Sequence, residues 1–347
     1  MCAYANTPNK AVIRQCWDLP MLERWYTKNG KLLSYFGLPG PEIHDLLDWQ
    51  HLLGVRTGIE SPGHTKKQRE QASETIGRLY ANIMLNGLSS GFQLLRADVE
   101  DVILNSVDKD GHPPQLNDGR PAHLAHFTYD IVNLDFDGGL GYRAERASAK
   151  QMHGAAKRVD AIKELFKRQE GHSFILFLTI NVRDTLGDEV ENYLQGLQSR
   201  DRGEGWHDML DWYLHRTKGE REFKLKAIVP SFIHSVAETR LFRCTSRPPI
   251  AYIGHARAHM IHFAFELETA ESNSRGIRLR EFSPQDDREL LALPLLRSVN
   301  GQIELASMKL PGIDFISCEK TLNFLPEEIR SHILASFPRP TITEVQR

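Results

Sequence analysis

Two largely apolar runs constrain the fold of this chain more than any other feature: Tyr129-Asp-Ile-Val-Asn-Leu-Asp135 and Ser173-Phe-Ile-Leu-Phe-Leu-Thr-Ile180. A strand with one wet face alternates polar and apolar residues, whereas a strand covered on both faces reads as a nearly continuous apolar stretch. Both runs are of strand length and neither alternates. They predict adjacent central strands of a mainly parallel sheet with helices packed on both sides.

The rest of the first two-thirds fits this frame. Lys31–Phe36 reads as a first strand, closed by the turn-forming run Gly37-Leu-Pro-Gly-Pro41. A helical pattern covers about 42–53, with Ile43, Leu46, Leu47 and Leu53 near helical spacing. Val55–Glu60 is a second strand, stopped by Ser61-Pro-Gly63. A helix over about 67–86 leads to a third strand, Phe92–Ala97, and a short helix near Val99–Leu104. The polar stretch Asp108–Pro121 reads as an exposed loop, and a helix is expected from about 148 to 169. Residues 185–222 are mixed and charged, with a helix over Trp206–His215. Lys224–Ile233 and His259–Glu268 read as an antiparallel pair at the sheet edge. Beyond Ser272, the segments Leu290–Val299, Ile303–Leu310 and Glu327–Phe337 read as a small C-terminal appendage.

Bulk properties narrow the class. There are 43 Lys and Arg against 45 Asp and Glu, a formal net charge of -2, so no global field draws the chain to nucleic acid. Such binding would need a local basic patch. Cys2, Cys16, Cys244 and Cys318 are scattered, form no CxxC pair and have no histidine at metal-ligand spacing. This pattern fits a reducing compartment. The first ten residues lack the apolar core of a signal peptide, and no run approaches a membrane span. The expectation is a cytoplasmic protein with no membrane partner.

The chemistry-bearing residues cluster at strand ends. Ligands of open α/β sheets bind outside the carboxyl ends of the strands. Gly37, Pro39 and Gly40 follow the first strand, where a missing side chain lets backbone approach a ligand. Glu60 ends the second strand twenty positions after Gly40, a spacing at which an acid can hold ribose hydroxyls in nucleotide-binding units. Asp98 follows the third strand. The fourth ends in Asn133-Leu-Asp-Phe-Asp-Gly-Gly139, which places Asn133, Asp135 and Asp137 at the same edge. The fifth ends near Thr179-Ile-Asn181.

This order of strand ends resembles the class I S-adenosylmethionine (SAM) methyltransferases. Tyr129–Gly138 more narrowly resembles the tRNA guanine-N2 dimethyltransferase family, whose corresponding strand ends in Asp-Leu-Asp-Pro-Phe-Gly. Asn82 and Asn86, Ala97-Asp98-Val99 and Leu178-Thr179 fall at matching places over about residues 32–180. The chain departs from the pattern in three ways. Gly37–Pro41 is not a glycine triplet, Phe136 and Asp137 replace the Pro-Phe pair, and no cysteine stands where a pyrimidine-methylating enzyme places its nucleophile.

The resemblance implies a Rossmann-like α/β fold, mainly parallel, with an antiparallel edge pair and a small C-terminal appendage. Residues 1–30 would be an N-terminal extension, 31–271 the SAM-binding domain and 272–347 the appendage. It further implies S-adenosyl-L-methionine as cofactor, held by Gly37, Pro39, Gly40, Glu60, Asp98 and Asn133. The reaction would be methylation of an exocyclic amine of nucleic acid, RNA before DNA. Asp135 is the first choice to accept the hydrogens of that amine, Asp137 the second, with Asn133 orienting either.

Arg143, Arg146 and Lys150, followed by Lys157 and Arg158, are the basic residues placed to meet phosphates. A non-catalytic methyltransferase-like protein that binds a protein partner remains open, as does another nucleotide-binding activity. His255, His259 and His262 offer the best histidine spacing, but His259 and His262 would face opposite sides of a strand. Trp206, Trp212 and Tyr213 read as packing residues.

Overall fold

The computed structural model describes residues 6–63, 65–106, 128–136, 138–141, 157–184, 186–200, 203–216, 221–269, 287–306 and 315–337. The chain enters through α1 (Pro8–Ile13), passes a wide π-turn at Arg14–Asp18 and continues as α2 (Leu19–Asn29). The Thr7 hydroxyl accepts the Lys10 amide, and Pro8 sits where its missing N–H removes no helical bond. Gly30, at φ 66°, ends α2 in the left-handed conformation that glycine adopts without strain.

There follow β1 (Leu33–Gly37), α3 (His44–Asp48), β2 (Leu53–Glu60), α4 (Lys66–Leu85), β3 (Phe92–Arg96) and α5 (Val99–Asn105). Next come β4 (Ile131–Asp135), α6 (Arg158–Arg168) and β5 (Phe174–Asn181). The helical segment after β5 comprises α7 (Asp188–Glu191), α8 (Tyr193–Gly196), α9 (Trp206–Asp211) and α10 (Arg221–Thr239). The chain continues as β6 (Phe242–Ser246), β7 (Ile250–Ile253), β8 (His259–Thr269), α11 (Asp287–Ala292), β9 (Leu296–Val299), β10 (Gln302–Leu305), α12 (Phe315–Thr321) and α13 (Glu327–Ala335).

The strands form one sheet in the order β10-β9-β7-β8-β5-β4-β1-β2-β3, with β6 also on β8. The five strands β3-β2-β1-β4-β5 are parallel, the doubly wound order in which the strand sequence reverses between β1 and β4. β8 runs antiparallel to β5, and β6 and β7 pair in turn with its two halves. The protein is thus a Rossmann-like α/β fold with an antiparallel edge.

Alternate strand residues serve two cores. Tyr35, Ile131, Ile175 and Phe177 pack with Trp17, Trp25, Leu46 and Leu79 of the helices on one face. Their neighbours Phe36, Val132, Leu176 and Leu178 pack with Val102, Leu165, Trp206 and Phe232 on the other. Each fully buried side chain of this kind contributes roughly 1.5–3 kcal/mol of transfer free energy. Two apolar faces explain why β4 and β5 do not alternate.

The expected strand at Lys224–Ile233 is instead the first half of α10. Phe223, Leu225, Ile228, Val229, Phe232, Ile233 and Val236 are all buried, so the helix has no wet face to reveal its period. The antiparallel partners of β8 are β5, β6 and β7. The helical reading of 42–53 contracts to α3 and a 3-10 turn at Gln50–Leu52. Segments of the last third expected in a C-terminal appendage contribute β9 and β10 to the same sheet, β9 parallel to β7. The expected loop at 108–121 lies outside the described residues. Among the described residues no helix is long and apolar enough to cross a membrane.

Candidate functional site

The reversal between β1 and β4 opens a crevice at the carboxyl edge, and Gly37 determines how closely its walls approach. A Cβ on Gly37 would lie 2.5 Å from the Asn133 carbonyl oxygen and 2.7 Å from the Tyr35 hydroxyl. Only glycine lets the two strand ends meet, and the Leu38 amide then donates to that same carbonyl at 3.1 Å. Pro39 folds back over β2, where a Cβ on Gly58 would meet its ring at 3.1 Å. Gly40 takes φ 63°, the left-handed turn that starts the short crossover to α3.

Two polar clusters flank this turn. On the outer side, Glu60 is buried at the end of β2, and Asp98 stands at the start of α5. The Ser61 hydroxyl donates to Asp98 Oδ1 at 2.5 Å. On the inner side, Asn133 Nδ2 donates to Asp45 Oδ2 at 2.6 Å, and Lys10 Nζ meets Asp135 Oδ2 at 2.6 Å. Arg14 Nε lies 2.8 Å from Asp48 and 3.6 Å from Asp45. The structure therefore brings Asn133 and Asp135 together, with Pro39 on the rim of a neighbouring hollow, while Glu60 and Asp98 line neither hollow.

Asp137, Arg143, Arg146 and Lys150 lie outside the described residues. Lys157 and Arg158 are engaged within the protein: Lys157 Nζ reaches Asp101 at 2.9 Å and Arg158 Nε reaches Glu100 at 2.8 Å. Arg158 also donates to the Gly139 carbonyl at 2.7 Å and stacks over Phe136. These contacts tie Phe136, Gly139 and the start of α6 to α5.

The inner cluster contains residues that the strand-end reading passed over. Lys10, Arg14 and Asp18 come from the N-terminal helix, Asp45 from α3, and Tyr252 and His262 from β7 and β8. Their spacing of i, i+4 and i+8 was the available signal, since it puts Lys10, Arg14 and Asp18 on one helical face. They enclose a hollow of about 30 Å3, roughly the space of one water. A second hollow of about 30 Å3 opens beside Pro39, Glu42 and His44.

Electrostatics in this cluster are strongly coupled. Burial pushes the Asp45 carboxyl up, and although Arg14 opposes this, Asp135 and Asp18 add to it, bringing its pKa to about 6. Burial alone would lower the Lys10 ammonium, but the charge and hydrogen bond of Asp135 raise it above its ordinary value. Burial, reinforced by Asp135, Asp45 and Asp18, holds the Tyr252 phenol well above the usual range.

The donor set fits an adenosine-bearing sulfonium cofactor: carboxylates at the ends of β2, β3 and β4, with a backbone turn free of side chains at Gly40. Among the described residues no three His, Cys, Asp or Glu side chains come together as a metal site.

Among solved structures the chain is similar to a magnesium protoporphyrin IX methyltransferase from Synechocystis PCC 6803 with bound SAH. Identity is 12%, covering 77% of this chain and 91% of that chain, with a TM-score of 0.34. It is also similar to the O-methyltransferase TomG from Streptomyces achromogenes in complex with SAM, at 12% identity over 77% of this chain and 91% of that chain, TM-score 0.34. A third is a SAM-dependent methyltransferase from Agrobacterium tumefaciens, at 12% identity over 75% and 63% of the two chains, TM-score 0.38. No family model and no curated protein sequence matches the chain.

Proposed function

We propose that the protein binds S-adenosyl-L-methionine along the carboxyl edge of β1–β4 and methylates an exocyclic amine of nucleic acid, RNA before DNA. The observation that supports this most is the position of three acids, Glu60, Asp98 and Asp135, at the ends of strands on both sides of the β1/β4 reversal. Glu60 would hold the ribose hydroxyls and Asp98 the adenine amino group. The turn at Gly37–Gly40 would lie against the cofactor with its backbone. The cofactor supplies an electrophilic methyl group on sulfur. Asp135 would accept the hydrogens of the target amine and so aim its lone pair. Asn133 would orient that carboxylate, and Asp137 stands second to Asp135 in the role.

The hollows between these groups are water-sized, so substrate entry requires the Lys10 side chain to leave Asp135. That same contact favours a second reading, a methyltransferase-like protein whose strand end is filled by its own lysine and whose ligand is a protein partner. Transfer of labelled methyl from SAM to an unmodified RNA transcript separates the two. The first reading expects transfer that Asp135→Ala abolishes while SAM affinity stays within a few-fold, because the defect lies in the transition state. It also expects charge reversal at Arg143 and Arg146 to weaken RNA binding and flatten its salt dependence. Wild-type protein that binds SAM and transfers nothing favours the second reading.

A further inference from the structure

Asp135, Thr179 and His262 stand side by side on three neighbouring strands. Asp135 pairs with Thr179 across β4 and β5, and Thr179 pairs with His262 across β5 and β8. Residues paired in this way project from the same face of a sheet, here the face covered by the N-terminal helix. Thr179 Oγ1 lies 2.9 Å from His262 Nδ1, and His262 Nε2 lies 2.9 Å from Asp18 Oδ1. All three are buried, at 4%, 5% and 2% exposure. Phe177 stacks on the imidazole at 5.7 Å and fixes its plane. Asp18 reaches this position from the π-turn at Arg14–Asp18, a local widening of the helix often found at functional sites.

The direction of the hydrogen bonds follows from the chemistry of the groups. A carboxylate only accepts, so Asp18 holds the proton of His262 on Nε2. In the neutral imidazole Nδ1 is then an acceptor, and among the described residues the donor it meets is the Thr179 hydroxyl. With its proton committed to His262, Thr179 has only lone pairs left for the hollow that it shares with Asn133 and Asp135.

We propose that Asp18, His262 and Thr179 form a proton-accepting relay that opens beside Asp135 and serves the amine held there; it rests on the activity proposed above. When the amine gains its methyl group, an N–C bond forms and the donor C–S bond breaks with its electrons going to sulfur. The nitrogen then carries one proton too many. That proton passes to Thr179 Oγ1 as the hydroxyl proton of Thr179 passes to His262 Nδ1, and Asp18 balances the resulting imidazolium. Asp18 acts through His262 and is a positioning residue. The charged groups around the imidazole are Asp18, Lys10 and Arg14 from the N-terminal helix, Asp45 from α3 and Asp135 from β4, with the Tyr252 phenol from β7.

Two measurements on the full chain test the relay. Nitrogen-15 NMR of the cofactor-free protein should find His262 as the Nε2–H tautomer. Asp18→Asn should flip it to Nδ1–H, because a carboxamide N–H donates where the carboxylate accepted. With labelled SAM and an unmodified transcript, Thr179→Val should lower kcat on the order of 100-fold at unchanged SAM affinity. It should also erase the acid limb of the pH profile, and Thr179→Ser should restore both. An Nδ1–H tautomer in the wild type, or full kcat in Thr179→Val, overturns the relay while leaving the methyltransferase reading in place. Wild-type protein that transfers no methyl overturns both.

Discussion

Lys10 Nζ sits 2.6 Å from Asp135 Oδ2, joining the first turn of α1 to the carboxyl end of β4, 125 positions later. The pair is half-buried, at 19% and 26%, and the charge and hydrogen bond of Asp135 more than offset the cost of burying the Lys10 ammonium. Its consequence is local: the carboxylate proposed to receive an amine is already matched with a cation.

Lys10→Met should therefore lower stability by about 1–3 kcal/mol in urea denaturation, the cost of leaving a half-buried carboxylate without its partner. The same variant should bind a sulfonium a few-fold more tightly, because Asp135 is left uncompensated. A stability loss well beyond that range would mean that the pair fastens the helix rather than screening the site.

Asp45 supplies a pH signature. Its folded carboxyl titrates at about 6 against an ordinary 3.8, so between these values the folded state holds more protons than the unfolded chain. The stabilisation is present below the unfolded value and is lost as pH rises through the folded one. Asp45→Asn removes the titration and keeps an oxygen to accept from Asn133. The stability of the wild type relative to this variant should fall between about pH 4 and pH 7. Melting temperatures of both proteins across that range check it, and a gap that widens in favour of the wild type contradicts it.

Lys226 is a second titrating group, remote from the crevice. Its side chain is fully buried in α10, contacts the Tyr213 hydroxyl and donates to the Leu291 carbonyl at 2.5 Å. Burial pulls its ammonium well below the ordinary range. The unfolded chain then binds more protons than the folded one, so stability rises with pH toward the ordinary lysine value of 10.5, near which the buried Tyr213 phenol begins to oppose it. Lys226→Met should flatten that slope and be at least as stable at neutral pH. Denaturation at two pH values decides between a slope and none.

The sheet was legible because its strands carry their burial on their surface. β4 and β5 show no alternation, and helices cover both of their faces in the structure. The same logic misread α10, since a helix buried all round has no polar stripe to set against an apolar one. Glu60, Asp98 and Asp135 could be placed because strand ends follow from strand positions. Lys10, Arg14, Asp18 and His262 could not be brought to them. Which side chains of one helix meet which strand ends depends on where that helix docks, and the docking of α1 and α2 is set by Trp17, Met21, Leu22 and Trp25 in the core.

The measurement that bears most directly on this account is calorimetric titration of the wild-type protein with S-adenosylmethionine and with its demethylated product, repeated on Glu60→Ala. If the carboxyl edge of β1–β4 holds the cofactor, both ligands should release heat with one site per chain. Glu60→Ala should then weaken them by about 1–3 kcal/mol, the loss of a charged hydrogen bond to the ribose. No heat and no thermal shift with millimolar SAM would contradict the central claim, and unchanged affinity in Glu60→Ala would move the cofactor away from the end of β2.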